Sequence, residues 1–451
     1  LEYKSNKFPY IVQIAPYVAG FTRLQATGGF ATAVTKICGA LTSDRPLALF
    51  LPKGQVVYDH DHIQVPCISS DGLRSFKKVS SAVIQALRLH FSYKTDKQLC
   101  FSLPLYLGSV YVSFMLKEFI RKNDTMVAHV HGFGPTVWPF FDVCLAADIP
   151  ILVTAHGLNI WEANPYTKML GELELRAAYE FNLRGGWISA ISSGLKVAIV
   201  SEAGLLYPEK VIVIPNGIDL KEWSILKRKN EARKLHGISL NRKVLLTVGS
   251  LTSRKGHAMV LEALTRLSPE ALDDILYVVV GDGPEKEHLK SFAQEYNLAD
   301  TVQFLGHLRG DDLKSIYAAA DVFILSSKHE GFGLVALEAY AAGIPVILQK
   351  DIESYHELYA SYRAVSVQSC TPEGYAHAIR YALEKQWDQE AIKRSLIDHS
   401  WNAIGARYLA TYERIALQPQ IWSKELNFSD LILKNISPKQ LHEKLNDRAV
   451  R

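Results

Sequence analysis

The stretch Ser326-Ser-Lys-His-Glu330-Gly-Phe-Gly-Leu334-Val-Ala-Leu-Glu338-Ala-Tyr-Ala-Ala-Gly343-Ile-Pro-Val346 decides how this chain is read. It follows an apolar run, Val322-Phe-Ile-Leu325, and places a Gly-Phe-Gly turn before a helix-forming segment that starts near Leu334. Apolar strand, glycine turn and helix in that order predict a βα unit of a parallel sheet. Glycines let backbone approach a ligand, and a helix N-terminus offers unpaired N–H groups and a positive dipole end that suit phosphate. Glu330, just before the turn, and Glu338, one turn into the helix, are placed to accept hydrogen bonds from ligand hydroxyls. Taken singly, either is more often a capping carboxylate or a solvated helix residue.

The same alternation continues on both sides. Short apolar runs at residues 10–15, 125–130, 149–154, 189–191 and 211–214 read as strands, with a helix at 32–41 after a glycine turn. A second series runs through 243–248, 276–280, 302–304, 322–325 and 345–348. Between the two lies Pro215-Asn-Gly-Ile-Asp219, and a boundary is expected near 215–225. A last helical pattern at 404–417 follows the second series, and 418–451 is polar. With 451 residues, two or three domains are expected at roughly 150 residues each. Two Rossmann-like domains would bind ligand at the carboxyl ends of their strands.

Composition removes several classes. Net charge is +4, which gives no whole-molecule case for a nucleic-acid partner. Apolar residues at 48% and charged ones at 21% describe a globular chain, not a disordered one. Cys38, Cys67, Cys100, Cys144 and Cys370 form no C-x-x-C pair, so neither a zinc ribbon nor a disulfide framework is expected, and a reducing, cytoplasmic compartment fits. The chain opens Leu-Glu-Tyr without Met or an apolar signal core, as a trimmed chain would. Residues 99–116 carry no charge, but Ser102, Pro104, Gly108, Ser109 and Ser113 dilute them, and a helix inside a domain is expected there instead of a membrane span.

With its flanks, the quoted stretch resembles the retaining glycosyltransferases of the GT-B fold, family four (glycosyl transferases group 1). Their frame is Glu-Gly-Phe-Gly, a second glutamate, then Gly-x-Pro-Val, and Glu330, Glu338 and Gly343-Ile-Pro-Val346 keep it. The resemblance extends from about residue 10 to 417. Thr247-Val-Gly-Ser250-Leu with Arg254-Lys255-Gly256 is similar to the loop that brings cations to the donor diphosphate. Lys255 matches the family lysine; Ser250 stands where the family has an arginine, and Arg254 is the candidate to supply that charge. Val280-Gly281-Asp282-Gly-Pro284 and Phe304-Leu-Gly-His307 resemble loops that frame the nucleoside. Thr27-Gly28-Gly29-Phe30 resembles the first glycine loop, and Val153-Thr-Ala-His156-Gly157 the loop whose histidine points at the donor sugar. Asn216-Gly-Ile-Asp219 resembles the hinge and Ser400-Trp401 the start of the terminal helix.

The resemblance implies an α/β GT-B architecture, two Rossmann-like domains facing across a cleft with a C-terminal helix crossing back. Residues 1–218 would bind acceptor, 219–399 the nucleotide sugar, 400–417 would return to the first domain, and 418–451 would be a polar tail. Catalytic roles fall to Glu330, His156 and Lys255. Donor contacts fall to Gly28, Gly29, Ser250, Arg254, Gly281, Asp282, His307, Gly331, Phe332, Gly333, Leu334, Val335 and Glu338, with Glu330 on sugar hydroxyls and Glu338 on the ribose diol. The implied activity is retaining transfer of a hexosyl group, without metal or cofactor, from a nucleoside diphosphate sugar to a glycan, lipid-linked or small-molecule acceptor, as in polysaccharide biosynthesis. Residue chemistry agrees, since lysine, arginine and helix-end amides can stabilise a departing diphosphate without a metal.

Other features compete. Tyr58-Asp59-His-Asp61-His62 contains an Asp-x-Asp pattern that suits a metal, although a polar surface turn explains it better. His129 and His131 alternate on one strand, where core histidines and acceptor-cleft residues are equally good readings. In residues 74–97, Arg74, Lys77, Lys78, Arg88, Lys94 and Lys97 accompany an apolar stripe of Phe76, Val79, Val83, Leu87 and Phe91. Such a helix fits an anionic membrane surface, at the inner face of a membrane, or else an ordinary surface helix. A sugar-nucleotide epimerase and a non-catalytic sugar-nucleotide-binding protein remain alternatives to the transferase.

Overall fold

A computed structural model describes residues 9–15, 29–41, 47–51, 54–59, 62–64, 103–161, 165–224 and 226–418. The basic stretch 74–97, Gly28, Asp61 and the tail from 419 onward lie outside the described residues. Two compact units emerge. One holds the chain up to Ile191, Leu195–Ile214 and the part from Ile404 onward; the other holds Ser192–Gly194 and Pro215–Ala403.

The first unit is built on β1 (Tyr10–Ile14), β2 (Leu47–Leu51), β3 (Gly54–Asp59), β4 (His62–Gln64), β5 (Thr125–His131), β6 (Ile151–Ala155), β7 (Trp187–Ala190) and β8 (Val211–Val213). Their order is β4-β3-β2-β1-β5-β6-β7-β8, parallel from β2 to β8, with β3 and β4 added antiparallel at one edge. Strands buried on both faces read as continuous apolar runs, which is why β1, β5 and β6 were legible. The run Leu-Ala-Leu-Phe-Leu of β2 has no β-branched residue, so strand propensity left it unread. The helix Leu103–Lys122 carries buried Val112, Leu116 and Phe119. No helix among the described residues is long and apolar enough to cross a membrane.

The second unit contains β9 (Lys243–Val248), β10 (Ile275–Val280), β11 (Val302–Gly306), β12 (Val322–Leu325), β13 (Val346–Gln349) and β14 (Ala364–Val367), all parallel, in the order β11-β10-β9-β12-β13-β14. Leu245, Tyr277, Ile324 and Ile347 form its core with the helices His257–Leu264 and Pro372–Glu384, and a fully buried aliphatic side chain contributes about 1.5–3 kcal/mol. β14, only four residues with two of them half-buried, gives too short a pattern to be read from sequence.

The strand order reverses between β9 and β12, and their two ends carry different charge clusters. Near the amino ends, Asp321 accepts from Arg233 Nη2 at 2.7 Å and from the Val244 N–H at 2.6 Å. Removing one partner of so buried a pair typically costs about 3–5 kcal/mol, so this cluster is structural. The carboxyl ends hold the loops where open α/β sheets bind ligands.

Candidate active site

The loop after β9 and the loop after β12 are stitched together by main chain. Ser326 Oγ donates to the Lys255 carbonyl at 2.8 Å, the Lys328 N–H to the Arg254 carbonyl at 2.8 Å, and Arg254 Nη1 to the His329 carbonyl at 2.9 Å. Gly256 permits this approach. It sits at φ +69°, and a Cβ there would stand 2.1 Å from the Ser326 carbonyl oxygen.

This stitching brings Lys255 Nζ to within 2.6 Å of Glu330 Oε2, which also accepts from Ser327 Oγ at 2.9 Å. Both bonds fall on Oε2, and Oε1 has no partner among the described residues. Burial alone would raise the Glu330 pKa, but the charge and hydrogen bond of Lys255, the Ser327 hydroxyl and the nearby Arg254 outweigh it and hold the carboxyl below its ordinary value. Glu330 is therefore an ionised, almost fully buried carboxylate at neutral pH.

Glu353 is a second carboxylate beside Glu330, one that sequence reasoning did not find. Its Oε2 accepts from the Glu330 N–H and its Oε1 bonds His329 Nδ1, each at 2.8 Å. Gln349 Nε2 donates to the Ser327 carbonyl at 2.6 Å and fixes the same loop. Gln349 ends β13 and Glu353 follows it in sequence, and no motif links either to Glu330.

Past Gly333, in the left-handed region at φ +79°, the helix Leu334–Ala341 begins without a side-chain cap, so the first-turn N–H groups include those of Leu334 and Val335. Phe332 is buried, whereas Gly331, Leu334 and Val335 are half-buried. Glu338, one turn in, accepts from the Tyr317 hydroxyl at 2.7 Å. Burial raises its pKa to about 7, opposed by the Tyr317 hydrogen bond and assisted by Glu222. Tyr317 lies on the helix Gly310–Ala319 and was also missed.

The remaining candidates divide. Gly281 is held at φ +140°, where a Cβ would meet the Gly249 carbonyl oxygen, so the loops after β9 and β10 also touch. Asp282 is exposed and occupied with Lys286 Nζ at 2.9 Å and the Gly283 N–H at 2.8 Å. His307 Nε2 accepts from Arg309 Nε at 2.7 Å in an exposed position. Ser250 exposes its side chain, and its carbonyl meets His257 Nε2 at 3.2 Å. His156 and Gly29 belong to the first unit; Gly29 opens the helix Gly29–Leu41, and His156 follows β6 with Nε2 3.1 Å from His131 Nδ1.

Comparison with known proteins defines the class. A sucrose-phosphate synthase from Thermosynechococcus elongatus superposes with a TM-score of 0.66 at 20% identity, over 90% of this chain and 99% of that one. The Anabaena protein HepE, solved in complex with UDP-glucose, superposes with a TM-score of 0.59 at 18% identity, over 91% and 98%. These likenesses establish the two-domain α/β GT-B fold. An uncharacterized glycosyltransferase of Methanocaldococcus jannaschii is 35% identical over 188 residues, 40% of this chain and 46% of the relative. The chain spans about half the length of such curated relatives. The profile for Glycosyl transferases group 1 matches residues 228–396, and that for Glycosyltransferase Family 4 matches 79–222. The chain belongs to the group 1 glycosyltransferases of family four.

Proposed function

We propose that the protein is a retaining, metal-independent hexosyltransferase that moves a sugar from a nucleoside diphosphate sugar to an acceptor hydroxyl. The observation that carries this reading is the Lys255–Glu330–Ser327 cluster beside the uncapped helix start at Leu334, at the reversal point between β9 and β12. Lys255, Arg254 and the N–H groups of that helix start supply positive charge for a departing diphosphate. Glu330 Oε1 accepts a sugar hydroxyl, and Glu338 accepts the ribose diol. In front-face transfer, the bond from the anomeric carbon to the diphosphate oxygen breaks as the acceptor oxygen bonds to the same face. The acceptor proton leaves with the diphosphate. Glu353 does not act as a nucleophile in this scheme, because both its oxygens already hold the Glu330 loop.

Mass spectrometry of reactions with UDP-, GDP- and ADP-sugars tests the proposal, beginning with UDP-glucose because HepE was solved with it. A transfer product supports it; an epimerised donor, or an intact donor with binding alone, replaces it by one of the two alternatives. EDTA leaves the rate unchanged. Loss of activity that Mn²⁺ restores would assign a metal to the Asp59–Asp61 stretch instead. We place the acceptor at an anionic membrane surface reached through residues 74–97, so flotation with anionic liposomes at low salt carries the protein and Lys77→Glu with Lys78→Glu reduces it. Equal flotation with neutral liposomes overturns that placement.

Glu338 adds a pH signature. Its folded pKa, about 7, lies above the ordinary value of 4.5, so its contribution to stability is present below pH 4.5 and is lost as pH rises through 7. Glu338→Gln therefore stabilises the protein at pH 8 and leaves it unchanged at pH 4.5. Ionised Glu338 accepts the diol better, so the donor KM falls between pH 6 and 8 in the wild type and is flat in Glu338→Gln. A flat wild-type profile removes Glu338 from the ribose.

A further inference from the structure

Glu174 is a carboxylate that the transfer scheme does not use. It stands half-buried on the helix Pro165–Leu183 of the first unit. Gly171, one turn before it, brings that helix onto the turn Asn159–Trp161 that follows β6, since a Cβ at Gly171 would run into the Ile160 main-chain nitrogen. This approach lets Asn159 Nδ2 donate to Glu174 Oε1 at 2.8 Å. The loop after β5 reaches the same carboxyl group, where Gly134 lies beside Oε1. Three separate segments thus meet at the carboxyl ends of two adjacent parallel strands, the edge where open α/β sheets bind ligands.

The backbone of Gly134 does not call for glycine. It sits at φ −63° and ψ 159°, a conformation open to any residue and favoured before a proline, here Pro135. Trp138 Nε1 fixes the loop by donating to the Phe133 carbonyl at 2.8 Å. Apart from the adjoining residues of the chain, a Cβ on Gly134 would have a single neighbour among the described residues, Glu174 Oε1 at 3.6 Å. The missing side chain leaves open space in front of the carboxyl group.

The charge there is uncompensated. Among the described residues no cation pairs with Glu174, and Oε2 has no partner. Burial raises its pKa to about 7, opposed by the hydrogen bonds of Asn159. Its neighbours one turn away, Leu170, Gly171, Ala177 and Ala178, carry no charge. At the ends of β5 and β6, burial keeps His131 and His156 neutral, His131 well below the ordinary value and His156 at about 3. An ionised carboxylate in so dry a place gains from each further donor. Asn159 has a second amide hydrogen to give beside it. Acceptor and donor side by side match two adjacent hydroxyls on one ring.

We propose that Glu174 and Asn159 form a polyol-binding site in the space that Gly134 leaves open. One hydroxyl of a sugar or cyclitol ring donates to Glu174 Oε2, and its neighbour accepts from Asn159 Nδ2. That this ring belongs to the acceptor of transfer rests on the activity proposed above.

Saturation-transfer NMR titration of the full chain with myo-inositol and with methyl α-glucoside tests the site. Donor is left out, which keeps Glu338 from contributing to the pH dependence. At least one probe binds the wild type, about tenfold more tightly at pH 8 than at pH 6, because the ionised share of a group titrating near 7 rises by that factor. Glu174→Gln weakens binding about tenfold at pH 8 and flattens the profile, and it keeps the fold because no charge is then buried. Gly134→Val fills the space, leaves Glu174 in place and also weakens binding about tenfold. Binding of neither probe by the wild type, a flat wild-type profile, or unchanged binding in either variant overturns the site. With an active donor, Glu174→Gln raises the acceptor KM about tenfold at nearly constant kcat and donor KM. Absence of transfer by the wild type would refute the activity and leave the binding measurement decisive for the site.

Discussion

Glu330→Gln lowers kcat by about 10²–10³-fold and changes the donor KM little, the scale of removing one preorganised electrostatic contact to the transition state. Glutamine keeps the size of the side chain and can still accept from Ser327, so the loop 326–330 stays in place. The negative charge is what it removes. Lys255 then faces a neutral amide in a part-buried position, and its ammonium is no longer held at 2.6 Å from the group that orients the sugar. Lys255→Met should cost a similar factor, and the double variant should cost little more than either, because the two act as a unit. Glu338→Ala instead acts mainly on donor KM. Small and equal effects of Glu330→Gln and Glu338→Ala would sink the assignment of both glutamates.

Gly256→Ala is expected to be strongly damaging in the second unit. An L-residue in the left-handed region costs roughly 1–2 kcal/mol by itself. At this position the new methyl also stands 2.1 Å from the Ser326 carbonyl oxygen, which is main chain and cannot rotate away. The loops after β9 and β12 must part, which breaks the bond from Ser326 to the Lys255 carbonyl and moves Lys255 away from Glu330. Gly237→Ala is the control, since it has a similar φ of +65° with nothing within 4 Å of its Cβ. Gly237→Ala should lower Tm by only a few degrees, at roughly 2–4 °C per kcal/mol, and keep activity. Gly256→Ala should lower Tm further and abolish transfer. Equal thermal shifts and equal rates in the two variants would show that the loops do not depend on this close approach.

What the sequence determined by itself was local. Apolar runs of strand length, glycine turns and helix starts are set by neighbouring residues, so the alternating βα order and the pair Glu330 and Glu338 could be read directly from the chain. Asp282 can be named from its motif, but its partners, Lys286 and the Gly283 N–H, are supplied by the folded loop.

The tertiary structure decided which distant groups meet. Glu353 and Tyr317 reach Glu330 and Glu338 only because β13 lies beside β12 and because the helix Gly310–Ala319 packs beside the one after Gly333. Gln13 and Tyr412 are 399 residues apart, yet they bond inside the first unit. No local pattern marks such pairs, because a hydrogen bond depends on where strand order and helix packing carry its two ends. The pKa values follow the same rule. Glu330 and Glu338 stand on one loop-helix segment, but Lys255 holds one carboxyl below its ordinary value while burial raises the other to about 7.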